Sequence, residues 1–286
     1  MDQIKLAVIG GDTRQVYAAA ALQSFGYDVS LCGFECFDAF PAMLPQIPLS
    51  DALRTDVTVL PLPFTKNNKT VYAPFAEAPL PMQTVTDAFQ SGQLVFIGNA
   101  DRKTMAKIAL HGTRVYDYFS DEALTLYNAR LTAEGLLGII VDELPSALLN
   151  AGIALIGFGR IAFYTAALLH SCGARITVFA RAPLQLAKAA AAGYTAKKLP
   201  DALCEDLRFD CIVNTAPAQI LTETPLSRLN RDCLLIEAAS APYGIDFGAA
   251  SDLGFRVCKA FSLPGKVSPK SAGAAIAKTV QQKIRR

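Results

Sequence analysis

The order of features that opens the chain occurs again at its middle: a short apolar strand, a glycine turn, an alanine-rich helix and a second strand. The first copy reads IKLAVIGGDTRQVYAAAALQSFGYDVSLCGFE, and the second reads AGIALIGFGRIAFYTAALLHSCGARITVFAR. Continuous apolar strands that alternate with helices are typical of parallel sheets covered by helices on both faces. The repeat therefore predicts an α/β protein of two tandem Rossmann-like parallel-sheet domains.

The domain bounds follow from where each copy begins. We expect a flavodoxin-like first domain at residues 1–129 and a second domain at residues 130–269, with a cleft between them. Leu131–Leu144 has helical spacing and is expected to connect the domains, with Thr132 as its N-cap. The C-terminal segment 270–286 is predicted to be a helix that returns to the first domain.

Further strands are expected where short apolar runs end at turn residues. The proline-rich piece from Leu60 to Pro81 is predicted to be a loop, because proline ends both strands and helices. The expected strands are Val57–Leu62, Leu94–Gly98, Arg114–Tyr116, Ile153–Gly157, Ile176–Phe179, Cys211–Asn214, Leu234–Glu237 and Arg256–Cys258.

Composition excludes several classes of protein. With 52% hydrophobic and 18% charged residues among 286, the composition is that of a globular protein. Its net charge of +2 is too small to indicate binding to nucleic acid or to an anionic membrane. No apolar run approaches the ~18 residues of a membrane span, and we expect a cytoplasmic protein. Two histidines and scattered cysteines predict no metal site.

The second glycine turn carries a dinucleotide-binding fingerprint. Gly157-Phe158-Gly159-Arg160-Ile161-Ala162 fits G-x-G-x-x-A, with a strand before it and a helix after it. The glycines allow the tight turn and a close approach of backbone to a pyrophosphate, and the helix N-terminus offers free N–H groups. A purely structural turn is the alternative.

The residues after the next strand decide which dinucleotide is bound. An acid that binds the ribose 2′-hydroxyl is usual there, but this chain has Ala180 followed by Arg181. Alanine removes the repulsion of a 2′-phosphate, and arginine can bind that phosphate with a forked set of donors, so NADP is favoured over NAD. Alternatively, Arg181 is an ordinary loop residue.

Another strand end is expected to touch the same cofactor. Asn214, Thr215, Ala216 and Pro217 follow a strand of the second domain, and ligands bind at the carboxyl ends of strands in open α/β sheets. A simple strand-to-helix turn is the alternative.

The first glycine turn departs from the fingerprint. It reads Gly10-Gly11-Asp12-Thr13-Arg14-Gln15, and Asp12 would repel a pyrophosphate. We expect Asp12 to be a helix N-cap. Arg14 is expected either to face the cleft or to be solvated.

Neither histidine suits a catalytic base. His170 lies on the helix behind the second glycine turn, and His111 lies near a helix end in the first half. A reaction that needs little general-base assistance is indicated.

Five separated stretches resemble the A-subunit family of dipicolinate synthase in order and spacing: IGGDTRQ, YNARLTAEG, IGFGR, NTAPAQIL and SLPGKVSPKSAG. The resemblance implies NADP-dependent oxidation of dihydrodipicolinate to dipicolinate during sporulation, together with a small flavoprotein-like B subunit. A homo-oligomer is a further expectation. Oxidation would make the ring aromatic, so the protein would chiefly position the ring and bind its two carboxylates.

The stretch EAASAPYGIDF departs from the family, with Ala241 in place of an arginine and Tyr243 in place of a glycine. Two alternatives stay open for this reason. The protein could be an NADP-dependent dehydrogenase or reductase of another small carboxylate, or a non-catalytic cofactor-binding scaffold for a partner subunit.

Two carboxylates require fixed cations and N–H groups. Lys266 and Lys270 flank a turn before the last helix, with Ser271 beside them, and a hinge with solvated lysines is the alternative. Leu263 and Pro264, at the start of this stretch, are expected to touch the cofactor.

Three further residues complete the predicted catalytic set. Arg14 would contact substrate if it faces the cleft, and Thr65 follows a strand and could donate to a carboxylate. Glu134 could accept the substrate proton, although a capping or salt-bridge role is the favoured alternative.

Overall fold

Two compact units make up the chain. The computed structural model describes residues 3–38, 44–110, 112–200, 203 and 208–285. One unit contains Met1–Asn128 and Pro264–Arg286, and the other contains Ala129–Leu263. Residues 264–269, expected in the second domain, are thus grouped with the first unit.

The first unit contains a five-stranded parallel sheet. Its strand order is β2-β1-β3-β4-β5, which is the flavodoxin-like order of doubly wound proteins. Its elements are β1 (Lys5–Ile9), α1 (Thr13–Ser24), β2 (Asp28–Cys32), α2 (Leu49–Ala52), β3 (Val57–Val59), α3 (Met82–Asp87), β4 (Leu94–Ile97), α4 (Arg102–Ala109) and β5 (Arg114–Asp117), followed by a 3₁₀ turn at Tyr118–Ser120.

Helices cover both faces of this sheet, as the continuous apolar strands predict. Leu6 and Val8 pack in one fully buried cluster with α1, whereas Ala7 and Ile9 pack in a second cluster on the opposite face. The observed β3 stops at Val59, shorter than expected, because Pro61 and Pro63 have no N–H to continue a strand ladder. The loop predicted for residues 60–81 is confirmed.

A long helix, α5 (Glu122–Glu143), links the two units. It begins nine residues before the predicted start, because Asp121 accepts the backbone N–H of Leu124 at 3.1 Å and nothing between 122 and 131 breaks a helix. Thr132 is therefore an interior residue, and its prediction as the N-cap is wrong. Arg130 and Glu134 also lie in the interior of this helix.

The second unit contains a six-stranded parallel sheet in the order β11-β10-β9-β6-β7-β8, the strand order of dinucleotide-binding domains. The predicted bounds of two of its strands are confirmed without change, and one polar strand, β8, was missed. Its elements are β6 (Gly152–Ile156), α6 (Arg160–Ser171), β7 (Arg175–Ala180), α7 (Pro183–Ala191), β8 (Thr195–Lys198), β9 (Cys211–Asn214), α8 (Glu223–Leu226), β10 (Leu234–Glu237), α9 (Phe247–Asp252) and β11 (Val257–Lys259).

The chain ends with α10 (Leu263–Val267) and α11 (Pro269–Ile284). Helix α11 packs along α1, and Ile276, Ala277 and Val280 belong to the core cluster of the first unit. The predicted return of the C-terminal helix to the first domain is confirmed.

Candidate functional site

The second glycine turn joins β6 to α6 and requires a glycine at its first position. Gly157 has a φ of +84°, which L side chains rarely adopt, and its N–H donates to the carbonyl of Phe179 at 2.8 Å. A Cβ at Gly157 would lie 3.1 Å from Oγ1 of Thr215. The turn is therefore packed directly against the end of β9.

The next glycine leaves the N-terminus of α6 open. Gly159 precedes the helix, no side chain caps it, and a Cβ built there would meet no described heavy atom within 4 Å. Arg160 is exposed, Ile161 is half-buried and Ala162 is fully buried against the sheet, where a small residue allows close helix packing. The side-chain position of Gly159 thus faces open space beside the N-terminus of α6, and helix N-termini of this kind bind anions such as a pyrophosphate.

Phe158 anchors the turn between its two glycines. Its side chain is buried, and its ring meets Phe163 and Tyr194 edge-on, with a centroid separation of 6.1 Å in each case. These ring contacts hold the backbone of the turn in place between its two glycines.

A buried polar network fixes the neighbouring strand end. Asn214 and Glu237 are fully buried, and the amide of Asn214 donates to Oε1 of Glu237 at 2.6 Å and to the carbonyl of Ala216 at 3.0 Å. Glu237 also accepts backbone N–H groups from Ala239, Gly244 and Ile245, each at 2.9 Å. Four donors thus satisfy one buried carboxylate, which ties β9 and β10 to the loop after β10.

The predicted cofactor residues after β9 lie beside the glycine turn. The hydroxyl of Thr215 donates to the carbonyl of Ile156 at 2.9 Å, and a Cβ at Gly157 would lie 3.3 Å from Cβ of Ala216. Pro217 is exposed next to them. The fold therefore brings Thr215, Ala216 and Pro217 to the place where β6 and β9 diverge, the topological switch point of this sheet.

The end of β7 carries no carboxylate. Ala180 is only 1% exposed, and Arg181 is exposed and forms no ion pair with a described residue. The position that would hold an acid for a ribose 2′-hydroxyl thus holds a buried methyl group, and it is followed by an exposed guanidinium.

The loop that contains Tyr72 and Ala73 occupies the space beside the first glycine turn. The N–H of Gly11 donates to the carbonyl of Tyr72 at 2.7 Å, and a Cβ at Gly10 would lie 3.0 Å from that oxygen and from Cβ of Ala73. Asp12 caps α1 by accepting the N–H of Arg14 at 3.1 Å, as predicted. With loop and carboxylate at the positions of a pyrophosphate, this turn does not fit a dinucleotide.

Arg14 is buried, so its prediction as a solvated residue is wrong. Its Nε and Nη2 each donate to the carboxylate of Asp12 at 2.8 Å, and Nη2 also donates to the carbonyl of Leu62 at 2.5 Å. Burial lowers the pKa of Arg14, but the hydrogen bonds and charge of Asp12 outweigh that effect and raise it above its ordinary value. The guanidinium is held as a structural ion pair.

Helix α10 lies against this ion pair. A Cβ at Gly265 would lie 2.9 Å from Oδ2 of Asp12 and 3.1 Å from Nε of Arg14. Next to it, Lys266 is exposed, and so is Lys270 near the start of α11; neither forms an ion pair with a described residue. Leu263 and Pro264 are buried.

Two predicted catalytic residues have their polar atoms in use. The hydroxyl of Thr65 donates to the carbonyl of Thr70 at 2.7 Å, inside its own loop. Glu134 forms an ion pair with Arg130 along α5, with Nε and Oε1 3.1 Å apart. The salt-bridge alternative for Glu134 is confirmed.

His170 is exposed on α6 and meets the edge of Tyr194 at 5.5 Å, whereas His111 lies outside the described residues. Within the described ranges, no cluster of three or more histidine, cysteine or carboxylate side chains is placed so that it could hold a metal ion. No helix in that part of the chain is both long enough and apolar enough to cross a bilayer.

Sequence reasoning missed the buried carboxylate of Glu237, and it missed Lys198, an exposed lysine that ends β8 in register with Ala180. An acid that ends the apolar run LLIE was a usable signal, because a buried carboxylate requires partners. Lys198 gave no signal, because the strand that carries it is polar.

The two parallel sheets and the single open glycine turn define a two-domain protein of the dehydrogenase-like Rossmann class. A transhydrogenase from Sinorhizobium meliloti has this fold, with a TM-score of 0.66 at 15% identity over 97% of this chain and 93% of that one. At that identity the likeness concerns the fold alone.

A second group of proteins is more similar to this chain in sequence. Residues 5–119 match the family described as the N-terminal domain of the dipicolinate synthase A subunit. The dipicolinate synthase A subunit of Bacillus subtilis (strain 168) is 28% identical over 286 residues, which cover 98% of this chain and 95% of the relative. The crystal structure of the corresponding protein from Bacillus halodurans superposes with a TM-score of 0.86 at 25% identity, over 99% of this chain and 98% of that one. The resemblance to the A-subunit family of dipicolinate synthase is confirmed.

Proposed function

We propose that this protein oxidises dihydrodipicolinate to dipicolinate with NADP, as the A subunit of a dipicolinate synthase. The observation that carries the proposal is the open N-terminus of α6 behind Gly157 and Gly159, in a chain similar to that protein over nearly its whole length. The first glycine turn is filled by the loop at Tyr72, so we assign the dinucleotide to the second unit alone.

The residues of the second unit fit such a cofactor. Gly159 and the first N–H groups of α6 would bind the pyrophosphate, and Thr215 and Pro217 would contact the dinucleotide at the switch point. Ala180 and Arg181 favour a 2′-phosphate. When bound, the nicotinamide ring would accept a hydride from the substrate.

The substrate's two carboxylates require cations that are not already paired. Lys266 and Lys270 meet this condition among the described residues, whereas the guanidinium of Arg14 is held by Asp12. We therefore assign carboxylate binding to the two lysines. Loss of a hydride and a proton makes the ring aromatic, so water suffices as the proton acceptor and no histidine base is required.

A direct assay tests the proposal. Purified protein, together with a flavoprotein-like B subunit, should reduce NADP when it is given freshly generated dihydrodipicolinate. Charge reversal by Lys270→Glu should raise the KM for this substrate while the Kd for NADP stays unchanged. Absence of NADP reduction in the presence of tight NADP binding would reject the activity and favour a cofactor-binding scaffold.

The loop after β10 differs from what the resemblance implies, and this difference favours a second candidate substrate, another small carboxylate. The resemblance to the family implies an arginine at the position of Ala241, and Tyr243 stacks on Phe261 with ring centroids 5.2 Å apart. Turnover of another small carboxylate, with none of dihydrodipicolinate, would support that alternative. The predicted cytoplasmic location and a homo-oligomer remain part of the proposal.

A further inference from the structure

Strand β8 places a lysine directly beside the end of β7. The two strands are parallel, with Ala180 in register with Lys198, and the N–H of Leu199 donates to the carbonyl of Ala180 at 2.9 Å. Adjacent strands are about 4.8 Å apart, so the backbone of Lys198 is one strand spacing from that of Ala180.

Lys198 lies on the same face of the sheet as Ala180. Side chains in register on neighbouring parallel strands share a face, and residues two apart on a strand share it as well. Ala196 packs with Val178 and Ala180 in the cluster that also contains the buried residues of α6. Lys197 therefore belongs to the opposite face, with Phe179.

Ala180 and Lys198 differ in solvent exposure, and only the side chain of Lys198 is accessible to a ligand. Ala180 is buried and ends at its methyl group, whereas Lys198 is exposed at the carboxyl end of its strand. Neither Lys198 nor Arg181 forms an ion pair with a described residue. Two available cations thus flank a position at which dinucleotide-binding folds usually carry an acid.

We propose that Lys198 is a second cation for the 2′-phosphate of NADP, acting together with Arg181 beside the small side chain of Ala180. This role rests on the proposed function, because it presupposes a dinucleotide at the second glycine turn. A phosphate dianion has three oxygens that accept charge-assisted hydrogen bonds, so one guanidinium leaves room for an ammonium group. Lys198 would be a specificity-determining residue with no part in the chemical step.

Equilibrium binding tests this role without turnover. The Kd values of NADP, NAD, 2′,5′-ADP and 5′-AMP should be measured for the wild type, Lys198→Ala, Arg181→Ala and the double variant. We expect Lys198→Ala to raise the Kd of NADP and of 2′,5′-ADP by about 5- to 20-fold, and that of NAD and 5′-AMP by less than about twofold. The loss should shrink at high salt, because the contact is exposed.

Lys188→Ala is the matched control, because it removes the same charge from an exposed site within α7 of the same unit. Lys198→Arg should retain most of the NADP affinity. Equal losses of affinity for NADP and NAD in Lys198→Ala, or no loss for either, would overturn the role of Lys198. In that case, NADP binding by the wild type would still support the cofactor assignment. A wild type that bound NAD but not NADP would reject the cofactor assignment and this role together.

Discussion

The side-chain amide of Asn214 donates a 2.6 Å hydrogen bond to the carboxylate of Glu237, and both residues are fully buried. Asn214 ends β9 and Glu237 ends β10, so the pair joins two neighbouring strands at the edge where the candidate cofactor site begins. Through three backbone N–H groups the same carboxylate also holds the loop that contains Tyr243.

Replacement of Glu237 by glutamine should destabilise the second unit. Glutamine has one carbonyl oxygen where the carboxylate has two, so at least two of the four buried donors lose their acceptor. We expect the free energy of unfolding to fall by about 2–4 kcal/mol, measured by urea denaturation. Glu223→Gln, at an exposed helix position, is the control and should change it by less than about 0.5 kcal/mol. Similar effects of the two variants would contradict this account of the network.

The two glycines of the open turn should respond differently to alanine. Gly159 has an ordinary extended backbone and free space around an added Cβ, so Gly159→Ala should lower stability by no more than about 1 kcal/mol, the usual cost of alanine at a helix N-cap. The new methyl group would occupy the space required by a pyrophosphate, and we expect the Kd of NADP and NAD alike to rise more than about tenfold. Calorimetric titration measures this loss.

Gly157→Ala is the matched comparison. Its positive φ and the contact with Thr215 should cost about 1–3 kcal/mol of stability in addition to any loss of binding. Normal dinucleotide affinity in a folded Gly159→Ala protein would show that the cofactor does not bind at this turn.

Local pattern was sufficient for much of the fold. The strands Cys211–Asn214 and Leu234–Glu237 have their predicted bounds, and Asp12 is the predicted cap, because strand runs and caps depend on neighbouring residues. Strand β8 was missed because its sequence, TAKK, is polar, and only its pairing with β7 makes it a strand.

The candidate site could be predicted only in part, because several of its determinants are contacts between distant residues. The carbonyl of Tyr72 fills the first glycine turn from about sixty residues away, and no periodicity in the sequence shows this. Arg14 forms an ion pair with Asp12, whereas the sequence alone suggests that its guanidinium is available to bind substrate.

The rates at which the cysteine thiols are alkylated should depend on their exposure and their pKa. Burial, together with the charge of Glu35, raises the pKa of Cys32 to about 11, and burial together with Asp210 raises that of Cys233 to about 12. Because the thiolate is the reactive form, these thiols stay protonated below those values and react only as the pH rises toward them. At pH 8 we expect rapid alkylation of the exposed thiols of Cys36 and Cys172.

Peptide mass spectrometry after a short alkylation pulse measures this order. Cys211, whose pKa burial also raises, should be protected, and Cys258, half-buried, should react slowly. Cys204 lies outside the described residues and is followed separately. Unfolding in urea should make all seven react at similar rates. Rapid labelling of Cys32 or Cys233 in the native protein at pH 8 would contradict the described core.

Gly273 should be essential for docking of the C-terminal helix. A Cβ there would clash with the carbonyl of Arg14 and approach Cβ of Tyr17 and the N–H of Ala18, all on α1. Two of these atoms belong to backbone and cannot move aside, so Gly273→Ala should lower the free energy of unfolding by about 2–3 kcal/mol.

Gly138 offers a control of the same kind, because it lies in the interior of α5 with no described atom within 4 Å of an added Cβ. Glycine in a helix interior is less favourable than alanine, so Gly138→Ala should raise stability by about 0.5–1 kcal/mol. Opposite signs for the two substitutions, measured by urea denaturation, would establish that the close approach of α11 to α1 causes the loss. A gain in stability for Gly273→Ala would show that the two helices are not packed as closely as described.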